Sequence, residues 1–141
     1  MISLRRNATR YVSKLSNKIR RKLDRLSSRE AFSGSQGRVL QFLLAQNEDI
    51  FQKDIEEEYS IRPSTATQLL NQMEQNGLIC RVPVAYDRRL KKIQLTAKAQ
   101  QYRQQVVKDL TELEKTVTAG IAPEDLEVFF RVMETMMDNL S

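Results

Sequence analysis

Two stretches of this sequence carry side chains suited to binding a polyanion, one through positive charges and one through hydrogen-bonding groups. The first, AYDRRLKKIQLT, runs from Ala85 to Thr96 and concentrates four cations in five residues: Arg88, Arg89, Lys91 and Lys92. Cations at this density are typical of a surface that neutralises phosphates. Ile93 and Leu95 then alternate with a polar residue, which predicts a short strand that holds the cations at the tip of a hairpin.

The second stretch is a predicted helix from Pro63 to Asn76, because proline suits the first helical position and Gly77 suits the stop. One side of its helical wheel is apolar and is predicted to face the core: Ala66, Leu69, Leu70 and Met73. The other side carries amides and hydroxyls without a lysine or an arginine. Several of these residues are poor helix formers, so we interpret them as hydrogen-bonding groups, the alternative being an uncharged solvent face.

Amide and hydroxyl groups on a helix can read base edges in DNA, since Asn and Gln pair with adenine and Thr touches the thymine methyl. We therefore predict that this helix and the arginine before it contact DNA through Arg62, Ser64, Thr65, Thr67, Gln68, Asn71 and Gln72. A helix without cations supplies little phosphate affinity, so the hairpin wing must provide it. The predicted wing residues are Arg81, Asp87, Arg88, Arg89, Lys91 and Lys92.

The chain upstream predicts the elements that position these two stretches. Apolar residues at three- and four-residue steps predict a first helix over Leu4–Leu26, followed by a break over Ser27–Gly37. Ser35 is predicted to cap a second helix, whose buried side is formed by Val39, Leu40, Leu43 and Leu44. Residues 50–51 are predicted to be extended, and a short third helix is predicted over Gln52–Tyr59.

Downstream, two strands over Leu78–Val82 and Lys91–Leu95 are predicted to form the wing. Thr96 is predicted to cap a long helix over Ala97–Val117, and a last helix is predicted over Pro123–Leu140. The fold class is therefore mainly α with a small β-hairpin wing on a helix-turn-helix.

The predicted domain organisation has three segments. A winged helix-turn-helix domain occupies residues 31–96, between a first helix in residues 1–30 and two helices in residues 97–141. The first helix has a narrow apolar stripe, which is typical of a helix that packs on a partner helix.

Composition argues against several classes of function. The chain has 141 residues and no histidine, so the commonest general base and the commonest metal ligand are missing. We predict no enzyme, no metal site and no cofactor. No apolar run reaches the roughly 20 residues of a membrane span, which predicts a cytoplasmic protein without a membrane partner. The single cysteine, Cys80, is predicted to be buried and inert, with redox sensing as the alternative.

The net charge of +5 is unevenly distributed. Residues 1–30 contain ten basic and two acidic residues, and residues 81–103 contain seven and one, whereas the other two segments are net negative. Two basic segments on an acidic body predict a polyanionic partner. For the basic first helix, three interpretations are open: a solvated outer face, contacts with flanking DNA phosphates, or binding to a membrane surface.

The residues of the wing carry a resemblance to a known family. The wing fits the pattern D-x-R-x-x-x-hydrophobic-x-L-T through Asp87, Arg89, Ile93, Leu95 and Thr96. This pattern resembles the wing signature of the MarR (multiple antibiotic resistance regulator) family of bacterial transcription factors. The upstream run IRPSTATQLLNQMEQNGLICR is similar to that family's recognition helix and its exit, with matching residues at Met73, Gly77, Leu78 and Arg81. The resemblance covers essentially the whole chain.

The resemblance implies a homodimer that represses transcription at a pseudo-palindromic operator on double-stranded DNA. It also implies relief by a small-molecule effector in the crevice between the dimerisation platform and the DNA-binding domain. The first and last helices would form the platform through Tyr11, Leu15, Ile19, Leu126, Phe129, Phe130, Met133 and Met136. Each wing would insert Arg89 into a minor groove, with Asp87 as its brace. The alternative is a winged-helix dimer that acts as a protein-interaction adaptor.

The sequence departs from the family pattern at two places. Gln68 stands where many members have an arginine, which puts part of the usual phosphate or base contact in doubt. The third helix carries the acidic run Glu56–Glu58 close to the expected DNA side. We expect this run to point to solvent or to bind a basic residue of the N-terminal segment.

Overall fold

This computed structural model describes residues 2–29 and 34–141. Within these residues the chain forms seven helices and three strands. The helices are α1 Ala8–Arg29, α2 Gly34–Ala45, α3 Gln52–Tyr59, α4 Pro63–Gln75, α5 Ala97–Gln100, α6 Arg103–Val117 and α7 Pro123–Asn139. The strands are β1 Ile50–Phe51, β2 Ile79–Val84 and β3 Asp87–Leu95. They form an antiparallel sheet in the order β1-β3-β2. The predicted fold class, mainly helical with a small β wing, is confirmed.

The chain divides into two compact units, residues 1–109 and residues 110–141. The core of the first unit contains the four apolar residues predicted for α2, each at most 4% exposed: Val39, Leu40, Leu43 and Leu44. Three fully buried residues bring α3 and α4 into the same core: Ile55, Leu70 and Met73. Leu69, which the wheel also places on this side, is only half-buried. The three helices of the helix-turn-helix thus share one apolar core.

The second unit contains α7 and the end of α6. No side chain of α7 is fully buried, although its apolar residues recur at helical spacing. Phe129 and Phe130 are 42% and 46% exposed, and their ring centroids lie 5.7 Å apart. An exposed apolar surface of this extent is typical of contacts between proteins. Among the described residues, no helix is both long and apolar enough to cross a membrane.

The ends of α3 and the start of α4 are each occupied by a residue type that suits the local backbone. Phe51 N–H donates to Asp54 Oδ2 at 2.9 Å, which satisfies a free N–H at the start of α3. Ser60 follows α3 in the left-handed region, with φ 51°, and its N–H bonds to Glu56 O. Pro63 then occupies the first position of α4, where its missing N–H costs no hydrogen bond.

Tyr59, the last residue of α3, joins α3 to α2. Its hydroxyl donates to Arg38 O at 2.8 Å, and its ring meets Phe42 edge-on with centroids 6.1 Å apart. Burial raises the pKa of Tyr59 above its ordinary value of 10.0, and the nearby Glu58 carboxylate raises it further. The folded protein therefore holds this hydroxyl neutral at pH values where the unfolded chain ionises it.

Replacing Tyr59 by phenylalanine should lower the free energy of unfolding by about 1 kcal/mol at pH 7, because one partly buried hydrogen bond is lost. Because the pKa of Tyr59 is higher in the folded protein than in the unfolded chain, its hydroxyl stabilises the fold fully below pH 10. Above pH 10 the unfolded chain ionises first, so this stabilisation decreases as the pH rises. The difference between the two proteins should therefore shrink above pH 10. Urea unfolding at pH 7 and pH 11 measures both effects, and equal stability at pH 7 would contradict the assigned contact.

The predicted start of the first helix at Leu4 is wrong. Asn7 Oδ1 accepts the N–H of Arg10 at 2.9 Å, which caps α1 and places its first residue at Ala8. Ahead of the cap, Ser3 Oγ accepts the backbone N–H of Arg6 at 3.1 Å. Local hydrogen bonds to polar side chains thus make α1 begin about one turn later than predicted.

The predicted break over Ser27–Gly37 is also wrong at both ends. α1 continues through Arg29, since serine is only mildly unfavourable inside a helix. α2 already includes Ser35, so this residue does not cap the helix, and its Oγ lies 3.5 Å from Nη2 of Arg38. The middle of the predicted break, residues 30–33, lies outside the described residues.

The helix predicted over Ala97–Val117 is in fact two helices, α5 and α6. Thr96 caps α5 as predicted, since its Oγ1 accepts the Ala99 N–H at 3.2 Å. Tyr102 N–H then bonds to Ala99 O, three residues back, at 3.1 Å. This tighter turn separates the two helices, although the apolar spacing continues across it.

Candidate nucleic-acid interface

α4 presents its polar side to solvent, on the opposite side from its buried residues. The N-terminal half of this exposed surface contains Arg62, Ser64, Thr65, Thr67 and Gln68, and the C-terminal half contains Asn71 and Gln72. Ala66, Leu70 and Met73 on the other side are fully buried. The predicted division of α4 into a core side and an outer side is therefore confirmed, whereas contact of the outer side with DNA stays a prediction.

The start of α4 is held by a side chain of α3. Gln52 Nε2 donates to Thr67 Oγ1 at 2.9 Å, and Thr67 Oγ1 donates in turn to Pro63 O at 2.9 Å. The same Gln52 amide lies 3.1 Å from Oε2 of Glu56. Since the hydroxyl of Thr67 already donates and accepts, its methyl group remains for a thymine methyl.

The end of α4 is held by a side chain of α2. Asn76 Nδ2 donates to Gln36 Oε1 at 2.9 Å, and Gln36 Nε2 donates to Gln72 Oε1 at 3.3 Å. Sequence reasoning missed Gln36, Gln52 and Asn76, because residues as far apart as 36 and 76 share no periodic signal. Only the amide side chains of these three residues indicate hydrogen bonding in the sequence. In the structure, their hydrogen bonds fix the orientation of α4.

Gln68 is one of the residues that line a cavity beside α4. The cavity has a volume of about 250 Å³ and is lined by residues of α2, α3 and α4, including Arg38, Tyr59, Leu69 and Gln72. Arg38 is itself paired with Asp24 of α1, with Nη1 and Oδ1 2.7 Å apart. A side chain at position 68 thus has open space on one side, and an amide there can turn toward a base edge.

The wing, which is the hairpin of β2 and β3, turns at Ala85 and Tyr86. β3 begins directly after the turn, so the four cations lie along the strand, and the prediction of a basic tip is wrong. The predicted strand start at Lys91 is wrong for the same reason. Every residue from Asp87 to Lys92 except Leu90 is charged, so the alternation that marks a strand is hidden.

The ladder between β2 and β3 is irregular near the turn. Neither turn residue has a positive φ, so the turn is not one of the types that match the twist of paired strands. Pro83 pairs with Lys91, whereas the next residue, Val84, pairs with Asp87. Residues 88–90 therefore lie outside the regular ladder, and a bulge of this kind redirects side chains.

The bulged segment displays the arginines of the wing. The side chain of Arg89 is 93% exposed, and Leu90 and Tyr86 are exposed beside it. Asp87 Oδ1 accepts the backbone N–H of Arg89 at 3.0 Å and lies 3.4 Å from its Nε. Asp87 thus contacts Arg89 at both the backbone and the side chain. These two contacts are compatible with the predicted role of Asp87 in positioning Arg89. Insertion of Arg89 into a groove stays a prediction.

Two of the predicted wing cations are engaged at the base of the wing. Lys92 Nζ lies 3.9 Å from Asp49 Oδ1, and Lys92 pairs in the ladder with Phe51 of β1. Arg81 is half-buried, and its Nη2 donates to Asn71 Oδ1 of α4. Arg88, Arg89 and Lys91 are exposed, so the structure separates the cations of the wing into an outer and an inner group.

Cys80 is exposed, so the prediction of a buried cysteine is wrong. It lies on β2 opposite Gln94, which is also exposed, while its neighbour Ile79 is 2% exposed. Alternate residues of a strand face opposite sides, and an antiparallel sheet is often covered on one side only.

The residues predicted for the dimer platform lie on the two terminal helices. On α1, Tyr11 and Leu15 are 55% and 40% exposed and Ile19 is half-buried. On α7, the predicted set is half-buried or exposed along its whole length: Leu126, Phe129, Phe130, Met133 and Met136. Dimerisation through them stays a prediction.

The charged residues of α1 fall largely on a second side of that helix. At 100° per residue, six exposed cations share a sector beside the apolar stripe, and a seventh, Arg20, lies outside it; the six are Arg10, Lys14, Lys18, Arg21, Lys22 and Arg25. In the acidic run on α3, Glu57 and Glu58 are exposed, whereas Glu56 is half-buried and accepts a hydrogen bond from Gln52. The expectation that the run points to solvent therefore holds for Glu57 and Glu58 and not for Glu56.

Comparison with known proteins connects this arrangement to a family. The MarR family model matches residues 32–90, which contain the helix-turn-helix and most of the wing. The transcription regulator MarR from Oenococcus oeni PSU-1 has a similar crystal structure, with a TM-score of 0.84, 26% identity, and coverage of 94% of this chain and 99% of that one.

Two further structures are similar over most of their length. S. aureus MepR in its DNA-binding conformation has a TM-score of 0.83 at 25% identity, with coverage of 96% of this chain and 100% of that one. Apo (heme-free) PefR has a TM-score of 0.62 at 32% identity, with coverage of 94% and 99%. The family match and the full-length likeness together show that the chain belongs to the MarR family of transcriptional regulators.

Proposed function

We propose that this protein is a homodimeric, sequence-specific DNA-binding repressor of the bacterial cytoplasm. In each subunit, α4 enters a major groove and the wing enters an adjacent minor groove of a pseudo-palindromic operator. One observation carries the proposal: uncharged hydrogen-bonding groups cover the outer side of α4, while exposed arginines project from the neighbouring bulge. The first kind of group reads base edges, and the second neutralises phosphates.

A similar structure supports the same activity. S. aureus MepR, which this chain covers completely, is described in a DNA-binding conformation. The wing of the present chain suits a minor groove, where the negative potential attracts arginine. Arg89 is almost fully exposed and is held at its base by Asp87, so it can enter a groove without first being ordered.

The dimer is supported by the exposed apolar side chains of the terminal helices. α7 has no fully buried residue, and α1 exposes Tyr11, Val12 and Leu15. A second copy of the chain that covers these surfaces would remove their apolar side chains from water. Exposed apolar helix surfaces of this kind usually form contacts with another protein. Two-fold symmetry would then place the two copies of α4 about one turn of DNA, roughly 34 Å, apart.

Repression in this proposal results from occlusion, because a dimer bound across a promoter blocks access of the polymerase. An effector relieves it by favouring a conformation in which the two copies of α4 no longer match the half-site spacing. Such a ligand acts only through its different affinity for the two conformations.

Capture of genomic fragments followed by transcription tests this proposal. The protein should retain a small set of promoter fragments at about 0.15 M salt, and adding it should reduce transcription from a captured promoter in vitro. Increased transcription would contradict repression. Failure of a folded dimer to retain any fragment, even at low salt, would contradict DNA binding and favour the adaptor alternative.

Replacing Asp87 by alanine should weaken operator binding several-fold, even though it removes a negative charge from a basic wing. The reason is that Arg89 loses the two contacts that fix it, so more conformational freedom is lost on binding. Fluorescence anisotropy with a labelled operator measures the change.

Glu48→Ala is the matched control, because Glu48 is an exposed acid of the same unit outside α4 and the wing. Its removal should leave affinity unchanged or raise it slightly through reduced repulsion. Tighter binding by Asp87→Ala would show that the aspartate acts only through its charge, which contradicts the proposed bracing.

A further inference from the structure

The contact between Arg81 and Asn71 joins the wing to the reading side of α4. Arg81 lies on β2, where it pairs with Ile93 in the ladder, and its side chain is half-buried. Its Nη2 donates to Asn71 Oδ1, and its Nε is buried without a hydrogen bond to any described residue. The guanidinium therefore faces α4 and not the solvent around the wing.

This contact fixes which end of the Asn71 amide faces outward. A guanidinium has donors only, so the atom of Asn71 that it holds must be the oxygen. Reversal of the amide would bring an N–H₂ group against an N–H group. The Nδ2 donor of Asn71 therefore lies on the other side of the amide, on the exposed surface of α4.

The two ends of an asparagine amide select different bases. A free asparagine reads adenine with both ends at once, because Oδ1 accepts from N6 while Nδ2 donates to N7. An asparagine that offers only Nδ2 prefers an edge with acceptors alone. Guanine presents two acceptors, O6 and N7, whereas cytosine presents only a donor in the major groove.

We propose that Arg81 is a specificity-determining positioning residue, which makes Asn71 a donor-only reader that prefers guanine over adenine. Arg81 acts through Asn71 and not by touching the base. This inference rests on the proposed DNA binding by α4. It removes Arg81 from the group of wing cations whose main work is to neutralise phosphate.

Selection of bound duplexes from a random pool tests the inference with four proteins. The native protein should enrich guanine at one position of each half-site, and Asn71→Ala should lose the preference there, which locates the position. Arg81→Met, which keeps an unbranched apolar stem but removes the donors of the guanidinium, should raise the adenine-to-guanine ratio at that position at least about five-fold. Arg88→Met is the control, since it removes an exposed cation from the bulged segment of the wing.

The double variant Arg81→Met with Asn71→Ala distinguishes positioning from a general structural effect. If Arg81 acts through Asn71, the double variant should show the same preferences as Asn71→Ala alone. A shift toward adenine that persists without Asn71 would overturn the inference. So would a uniform loss of affinity in Arg81→Met with every base preference intact, as expected for Arg88→Met.

Asn71→Asp provides a second variant of nearly the same shape. Its carboxylate can still bind Arg81, but it places an acceptor where the native amide has a donor. The preferred base at that position should change from guanine to cytosine, whose N4 donates. Retained preference for guanine would overturn the inference. Native protein that enriches no sequence at all would instead contradict the proposed function itself.

Discussion

Replacing Arg89 by alanine should weaken binding to the operator by about 100-fold while leaving the fold unchanged. Each wing should lose roughly 1–2 kcal/mol of binding free energy. A symmetric dimer inserts two wings, so it loses this amount twice. The side chain is 93% exposed and its Nε lies 3.4 Å from Asp87 Oδ1, so its removal should not affect the free energy of unfolding by more than a few tenths of a kcal/mol. Anisotropy titrations between 50 and 200 mM salt measure both the affinity and its salt dependence.

The matched control for this substitution is Lys115→Ala. Lys115 is an exposed cation in the last turn of α6, so its removal changes the net charge of the protein by the same amount. The control should bind the operator nearly as tightly as the native protein, with the same salt dependence. Equal losses for the two variants would mean that only net charge matters, and the role assigned to the wing would then be wrong.

Replacing Phe130 of α7 by lysine should dissociate the dimer and reduce operator affinity by about 1,000-fold. A charge placed in an apolar interface costs several kcal/mol, and a monomer retains only one half-site. The added positive charge alone would favour DNA, so a loss of binding cannot be attributed to repulsion. Sedimentation velocity gives the oligomeric state, and operator binding is measured at the same protein concentration.

Glu127→Gln on the polar side of α7 also adds one unit of positive charge and serves as the control. Glu127 is exposed and lies well outside the stripe formed by Leu126, Phe129 and Phe130. This variant should remain dimeric and should bind the operator at least as tightly as the native protein. A Phe130→Lys protein that stays dimeric and keeps its affinity would contradict the proposed platform.

Periodicity predicted the parts of this fold in which one side of a helix is buried. The wheel of α4 separated Met73 from Gln68 correctly, because burial and exposure alternate there with a period of 3.6 residues. The bounds of α3 also agree with prediction, since an extended pair of residues and a turn at SIRPS delimit it. These features depend on local residue types and need no knowledge of the tertiary structure.

The wing was predicted less well, for a different reason. Charged residues fill β3 near the turn, and the turn at Ala85 and Tyr86 lacks the glycine or asparagine that usually marks a hairpin. Cys80 was assigned to the wrong side of β2 because a short strand with few apolar residues does not show which face is covered. Only the packing of the sheet decides that.

Contacts between distant polar residues could not be predicted at all. The sequence places Arg81 among the wing cations that neutralise phosphate, yet its guanidinium binds Asn71 of α4. Gln36 and Gln72 are likewise brought together by the packing of α2 and α4. Such pairs leave no periodic trace in one sequence, and they set the chemistry that α4 offers to a base.

The most direct test of the account is selection of bound duplexes from a random pool by the native protein at about 0.15 M salt. Sequence-specific reading by a symmetric dimer predicts enrichment of one inverted repeat, with half-site centres about 10 base pairs apart. Retained duplexes without any shared sequence, or no retained duplexes from a folded dimer, would contradict it.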